Sequence, residues 1–325
     1  MKEVQKTLPV TEVQKALLAS NEQVKSALNA SVPGLSEMTS YLSQSTGKGI
    51  RALLLLTSSM GQEGKVPEDA KSAASAIELL HMATLIHDDV MDDADLRRGQ
   101  PTLHKKFDTK SAVLCGDYLL SQSMLMITNM DKKRAEDIED HNLLISRFSR
   151  ALASVCRGEY TQHINASNLD INLLTYLKII SGKTAELFSL SAYAGAILAG
   201  ESAPSEFRRF GRYLGMAFQI LDDCKDYDLT EEQAKKPVGN DIKNGVITLP
   251  LILAMGKNPK LREIAKEVIT AQKHTDEIVK LVRNSGGSKA AKNIAERYLQ
   301  FASNSLKSVL PEKRKAMLSL LDFKG

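Results

Sequence analysis

Five carboxylates, Asp88, Asp89, Asp92, Asp93 and Asp95, stand within eight positions of one another in IELLHMATLIHDDVMDDADLRR, residues 77–98. They follow a largely apolar stretch with the periodicity of a helix. On such a helix Asp88 and Asp92 lie one turn apart on one face, with Asp89 turned about 100° away. Like charges at that spacing repel, by a few tenths of a kcal/mol per pair. A divalent cation reverses the sign. Mg2+ suits the set, because it takes one or two carboxylates, keeps several waters and fills its other positions with phosphate oxygens. A lone acidic patch is more often a solvated helix end, but this one has a counterpart. Residues 218–226, FQILDDCKD, repeat the DDxxD spacing with Asp222, Asp223 and Asp226, again after an apolar helix. The six aspartates are therefore the candidate metal ligands, with the two patches expected to face each other across a bundle.

Carboxylates and metals in that number call for an anionic ligand, and cations occur in matching places. Lys48 and Arg51, in STGKGIRALLLL, open an apolar helix, and helix starts favour phosphate. Arg97 and Arg98 follow the first acid cluster, Lys183 lies in SGKTAELF, and Lys236 lies in a polar loop. Arg offers a bidentate fork to phosphate and Lys a point charge. Each alone is ordinarily a surface charge; at the ends of otherwise apolar segments they gain weight together. Gly182-Lys183-Thr184 imitates the end of a P-loop. That motif needs a glycine five positions earlier, where Leu177 stands, and a buried strand before it. Nucleotide binding is rejected there, and no GxGxxG, HExxH or GxSxG occurs.

The elements that must position these groups are helical. Of 325 residues, 43% are apolar, 25% charged and only 5% aromatic, an ordinary globular balance with weak strand signals. Apolar helical periodicity covers 11–28, 48–60, 69–93, 111–129, 136–165, 171–199, 205–227, 246–256, 260–284 and 288–308, with most prolines between these segments. Segments 111–129 and 184–200 are apolar on most faces, as befits the middle of a bundle. Residues 228–245 read as a long polar loop, which in a compact domain is more often functional than idle. No linker composition interrupts the chain, so one large all-α domain over 1–325 is expected. The net charge of +4 is too balanced to argue for nucleic acid. The longest uncharged stretch, Leu187 to Gly200, is too short to cross a bilayer. Three scattered cysteines and an amino end without an apolar core point to a reducing, cytoplasmic setting.

With these residues in hand, the chain resembles the trans-isoprenyl diphosphate synthases, the polyprenyl synthetase family. GKGIR, IELLH, LIHDDVMDDADLRRGQPTLH, CGDYLL, RGEYTQ, GKTAELF, FQILDDCKD and KPVGNDIKNGVITLP occur in the family's order over roughly residues 45–256. The resemblance implies a single antiparallel helical bundle around a deep central cavity, usually paired as a homodimer. It implies that Asp88, Asp89 and Asp92 with Asp222, Asp223 and Asp226 bind three Mg2+ ions on an allylic prenyl diphosphate. It assigns Arg97, Lys183 and Lys236 to that diphosphate and Thr184 and Gln219 to the same site. Lys48, Arg51, His81 and Arg98 are assigned to isopentenyl diphosphate. Two departures stand out. The family's GGK(R)xRP is Thr46-Gly47-Lys48-Gly49-Ile50-Arg51-Ala52 here, which keeps both anchoring cations. Val246 stands where a second lysine is often found, which costs one contact to the allylic phosphate.

The implied reaction is head-to-tail prenyl transfer. Metals, Arg97, Lys183 and Lys236 stabilise the departing diphosphate, an apolar cavity shields the allylic cation, and the double bond of isopentenyl diphosphate attacks it. No side chain is an obvious base, and by family analogy the released diphosphate takes the proton. In the family a bulky aromatic four or five positions before the first aspartate halts chain growth. Ala83 and Thr84 stand there, both small, and the first motif carries no insertion. The expected product is thus longer than C20, such as a quinone side chain, with a short-chain farnesyl or geranylgeranyl product the alternative. Leu120, Met124 or Leu125 are other candidate floors, although ordinary core is the commoner role. Competing readings are the catalytic subunit of a heteromeric synthase, a class I terpene cyclase, a non-catalytic regulatory subunit, and an acidic helical scaffold. The cyclase lacks its second motif here, and regulatory subunits typically lack the aspartates this chain has.

Overall fold

The computed structural model describes residues 12–29, 32–44, 47, 49–61, 63–130, 138–228, 239–271 and 274–322, with residues 138–141 as backbone alone. The fold is all-α. In chain order the helices are α1 (Glu12–Ala27), α2 (Leu35–Ser43), α3 (Ile50–Ser58), α4 (Glu68–Met91), α5 (Leu103–Lys106), α6 (Thr109–Thr128), α7 (Ile138–Ile164) and α8 (Leu173–Ile180). A π-helical turn, Ser181–Ala185, leads into α9 (Glu186–Leu198). Then follow α10 (Pro204–Asp228), α11 (Asn240–Lys243), α12 (Leu249–Lys257), α13 (Lys260–Ala271), α14 (Thr275–Asn284), α15 (Gly287–Ser305), α16 (Pro311–Leu318) and a closing 3-10 turn. Among the described residues no helix is long and apolar enough to cross a membrane.

Two compact units divide the chain. Of the described residues, the first comprises those within 12–149, 190–208 and 308–322; the second comprises those within 150–189 and 209–307. In the first unit α4 is the central element. Glu68 and Asp69 in its first turn favour the positive helix end. Its small residues Ala70, Ala73, Ala74 and Ala76 are buried, so neighbouring backbones approach closely. Gly116 of α6 serves the same end, since a Cβ there would strike the His87 imidazole of α4. Leu28, Met38, Leu79, Ile86, Cys115 and Leu119 fill the space around that crossing. Asp108 starts α6 by accepting a hydrogen bond from the Ser111 N–H at 2.9 Å.

The second unit has two apolar clusters. One gathers Tyr227, Ile242, Leu251, Leu261 and Val282; the other gathers Tyr176, Ile180, Met216, Ile220 and Leu249. Asn172 caps α8 by accepting from the Thr175 N–H at 2.9 Å. Gly158 of α7 and Gly182 of the π turn lie in mutual contact, and a Cβ at Gly158 would collide with the Lys183 backbone nitrogen.

Several elements differ from the sequence expectation. Helices α2 and α16, of 9 and 8 residues, were not anticipated, because two turns carry too little periodicity to read. The expected helix over 260–284 is two helices, with His274 at a φ of 63° before α14. The expected loop 228–245 contains α11, while its residues 229–238 lie outside the described residues. A two-stranded hairpin, Leu96–Arg97 (β1) with Gln100–Pro101 (β2), follows the first acid cluster.

Candidate active site

The first unit builds its part of the site at the carboxyl end of α4. Asp88 and Asp89 lie in the last turn and Asp92 is the C-cap, so all three project where α4 stops. Asp89 is buried, Asp88 half-buried and Asp92 exposed. The hairpin then folds back. Its two central residues, Arg98 and Gly99, have φ of 54° and 80°, a primed turn that matches the twist of paired strands. That turn returns Arg97 onto Asp89: Nε donates to Oδ2 at 2.7 Å, and Nη2 lies 2.7 Å from Oδ1. The result is a bidentate fork.

Around it lies a cleft lined by His81, Asp89, Arg97, Arg98, Glu78 and Gly47, among others. The absence of a Cβ at Gly47 lets the Arg98 guanidinium rest 3.2 Å from where that atom would be. Glu78 Oε1 accepts the Ala52 N–H at 3.0 Å, which fixes the start of α3 and so Arg51. Burial pulls Arg51 down to about 10, and Glu78 opposes the shift. Withdrawal from water raises Glu78, against Arg51, the Ala52 N–H and Arg98. His81 is pushed well below the usual imidazole range, by desolvation first and then by Arg51, Arg97 and Arg98. It is therefore a neutral hydrogen-bonding group among cations. The structure thus brings Arg51, His81, Arg97 and Arg98 together with Asp89. Lys48 lies outside the described residues.

In the second unit, Asp222, Asp223 and Asp226 lie in the last turns of α10. A hydrogen-bonded chain runs through them. Thr184 Oγ1 donates to Gln219 Oε1 at 2.7 Å, and Gln219 Nε2 donates to Asp223 Oδ1 at 2.7 Å. From the other side Tyr176 Oη donates to Asp223 Oδ2 at 2.6 Å. The Asp241 N–H donates to Asp226 Oδ2 at 3.1 Å, tying α11 to the motif. Asp222 pairs with Lys225 at 2.9 Å near solvent. Burial, then Asp222 and Asp226, push Asp223 up to about 7, while the bonds from Tyr176 and Gln219 pull it down. Lys183 Nζ meets Glu159 at 2.6 Å. The π turn sets Lys183 and Thr184 differently from a regular helix; such turns are frequent at functional sites. Lys236 lies outside the described residues.

Among the described residues, no three His, Cys, Asp or Glu side chains stand in a metal-holding arrangement. Asp89, Asp222 and Asp223 are instead engaged by Arg97, Lys225, Tyr176 and Gln219. The donor set nevertheless fits Mg2+ in kind: hard carboxylate oxygens, with Asp223 pushed up by burial and then by Asp222 and Asp226, an effect that a cation would offset. Ala83 is buried in the α4–α6 core, whereas Thr84 is half-buried and donates to the His81 carbonyl at 2.8 Å. Four site neighbours escaped the sequence reading: Glu78, Glu159, Tyr176 and Asp241. The legible signal was a lone acid on an apolar helix, in IELLH and RGEYTQ.

An all-α fold with aspartate-rich helix ends and a cation-lined cleft defines an enzyme class that handles diphosphates. The family model for polyprenyl synthetase matches residues 32–285, and the chain belongs to that family. It is a prenyltransferase. It is 37% identical over 296 residues to "heptaprenyl diphosphate synthase component 2" of Bacillus subtilis (strain 168), covering 90% of this chain and 82% of that one. The octaprenyl diphosphate synthase of Haemophilus influenzae is 30% identical, covering 97% of this chain and 96% of that one. The crystal structure of heptaprenyl diphosphate synthase from Staphylococcus aureus superposes with a TM-score of 0.87 at 31% identity, covering 96% of this chain and 98% of that one.

Proposed function

We propose that this chain is an all-trans polyprenyl diphosphate synthase that condenses isopentenyl diphosphate head-to-tail with an allylic diphosphate, giving a product longer than C20. The observation that carries this is the cleft in which His81, Arg97 and Arg98 meet Asp89 of the first aspartate motif, with Arg51 near enough to act on His81. Relatives named for heptaprenyl and octaprenyl products support the chain length, as do the small side chains at Ala83 and Thr84. The family match spans residues of both units, which supports one working domain over 1–325.

Asp88, Asp89, Asp92, Asp222, Asp223 and Asp226 hold the Mg2+ ions, three with the allylic substrate bound. When bound, Mg2+ neutralises charge on the diphosphate that leaves. Arg97, Lys183 and Lys236 bind the same diphosphate and stabilise its developing charge as the allylic C–O bond breaks. Thr184 and Gln219 fix Asp223 in place. Lys48, Arg51, His81 and Arg98 hold isopentenyl diphosphate, so that its double bond lies against the allylic carbon. Neutral His81 donates or accepts a hydrogen bond without adding charge. The departing diphosphate takes the proton. The chain works in the cytoplasm as a homodimer, with the alternative of a heteromer supported by the "component 2" relative.

The test is Asp88→Ala with purified chain, radiolabelled isopentenyl diphosphate and farnesyl diphosphate. Turnover is expected to fall by orders of magnitude with an unchanged far-ultraviolet circular dichroism spectrum. Near-normal turnover refutes the metal assignment. Mass analysis of wild-type products reads the chain length.

A further inference from the structure

The second unit carries a surface groove outside the residues given to the reaction. It is lined by α7, α8, the π turn, α10 and α15. Three cations face it, Arg157, Lys178 and Arg212, all exposed, and no carboxylate lines it among the described residues. Arg212 is held by Ser181 Oγ at 2.8 Å, with Glu186 3.7 Å away. Arg157 and Lys178 have no ion-pair partner among the described residues. The rest of the wall mixes the hydroxyls of Ser154, Thr161 and Ser181 with apolar and aromatic side chains. Leu174 is 69% exposed, an unusual cost for a leucine with no other role, and Leu177 and Met216 continue the surface. The Tyr213 and Tyr298 rings pack at a tilt with centroids 6.1 Å apart, and Phe301, 51% exposed, completes the aromatic group. Exposed large apolar side chains beside unpaired cations are complementary to one kind of surface: anionic headgroups above a hydrocarbon layer. Aromatic rings with polar edges sit well at that boundary.

We propose that this groove is a peripheral docking site for an anionic lipid bilayer, with Arg157, Lys178 and Arg212 on the headgroups and Leu174 and Phe301 reaching the acyl boundary. The charges supply long-range attraction and the apolar pair supplies depth. No helix among the described residues spans a membrane, so the attachment is reversible.

Sedimentation of the purified full chain with vesicles tests this. Vesicles of phosphatidylcholine with phosphatidylglycerol should carry the protein down at low salt, and phosphatidylcholine alone should not. Binding should weaken at 0.5 M salt, because screening shortens the reach of the cations. The double variant Arg157→Gln/Lys178→Gln should lose about 30-fold in apparent affinity, two cations' worth, with prenyl transfer in detergent unchanged. Leu174→Ser, a change at an exposed site, should also weaken binding and keeps the test open if the double variant misfolds. Three results overturn the proposal: equal binding to neutral and anionic vesicles, full competition by soluble glycerol phosphate, or unaltered vesicle binding by the double variant with a changed oligomeric state in size-exclusion chromatography.

Discussion

Asp223 shows how a single carboxylate reports its surroundings. Its ordinary value of 3.8 is pushed up to about 7 in the metal-free chain. Between those values the folded protein holds a proton that the unfolded chain releases. The stability this contributes is complete below about pH 4 and is lost as pH rises through 7. Asp223→Asn, which cannot ionise, should therefore gain on the wild type as metal-free samples are taken from pH 5 to pH 8. Thermal midpoints would read a difference of order 1–3 kcal/mol, and a constant gap across that range would contradict the burial argument. Tyr176 acts through the same group. Tyr176→Phe removes one donor to Asp223 and should cost about 1–2 kcal/mol in stability. It should also raise the Mg2+ concentration for half-maximal turnover severalfold, measured by metal titration. The chain-length residues divide in the same local way. Ala83→Phe forces a ring into the core beside Cys115 and Leu119 and should cost about 1–3 kcal/mol. Thr84→Phe, at a half-buried site, is the cleaner probe, and a shorter product by mass analysis is its expected outcome.

At the scale of elements, two local devices do the positioning. The hairpin after α4 is short, but its turn sends Arg97 back over Asp89 within eight residues of chain. The crossing of α7 with the π turn depends on Gly158 and Gly182, because only backbones without Cβ atoms can meet so closely. Gly158→Ala should push the two apart, separate Glu159 from Lys183 and destabilise the chain by about 1–3 kcal/mol. Chemical denaturation measures the loss; an unchanged midpoint would mean that the backbones part without strain. Neither device was readable beforehand. Arg98 lacks the Asn or Gly that usually announces such a turn, and a π turn has no pattern distinct from the helix that contains it. The caps Asp108 and Asn172, by contrast, follow directly from residue type.

For the molecule as a whole, the three cysteines offer a check on packing. Burial pushes the Cys115 thiol up to about 11 and the Cys224 thiol up to about 12, while Cys156 is exposed. A thiolate is the reactive form, so iodoacetamide at pH 8 should modify Cys156 alone in the folded chain. Mass spectrometry of the labelled protein reads the outcome, and modification of Cys115 or Cys224 would show that the apolar cluster around that thiol opens in solution.

The sequence by itself determined the helical class, the two aspartate sets and most of the cations around them. Those features are local: a 3.6-residue period, an i, i+4 spacing and a residue type at a helix end survive without neighbours. Tertiary structure alone decided which groups answer them. Glu78 sets Arg51, Arg97 closes on Asp89, and Tyr176 reaches Asp223 from 47 positions away in the chain. Such pairings, like the rise of Asp223 and the fall of His81, depend on desolvation and on charges brought close by packing. Spacing along the chain does not encode them.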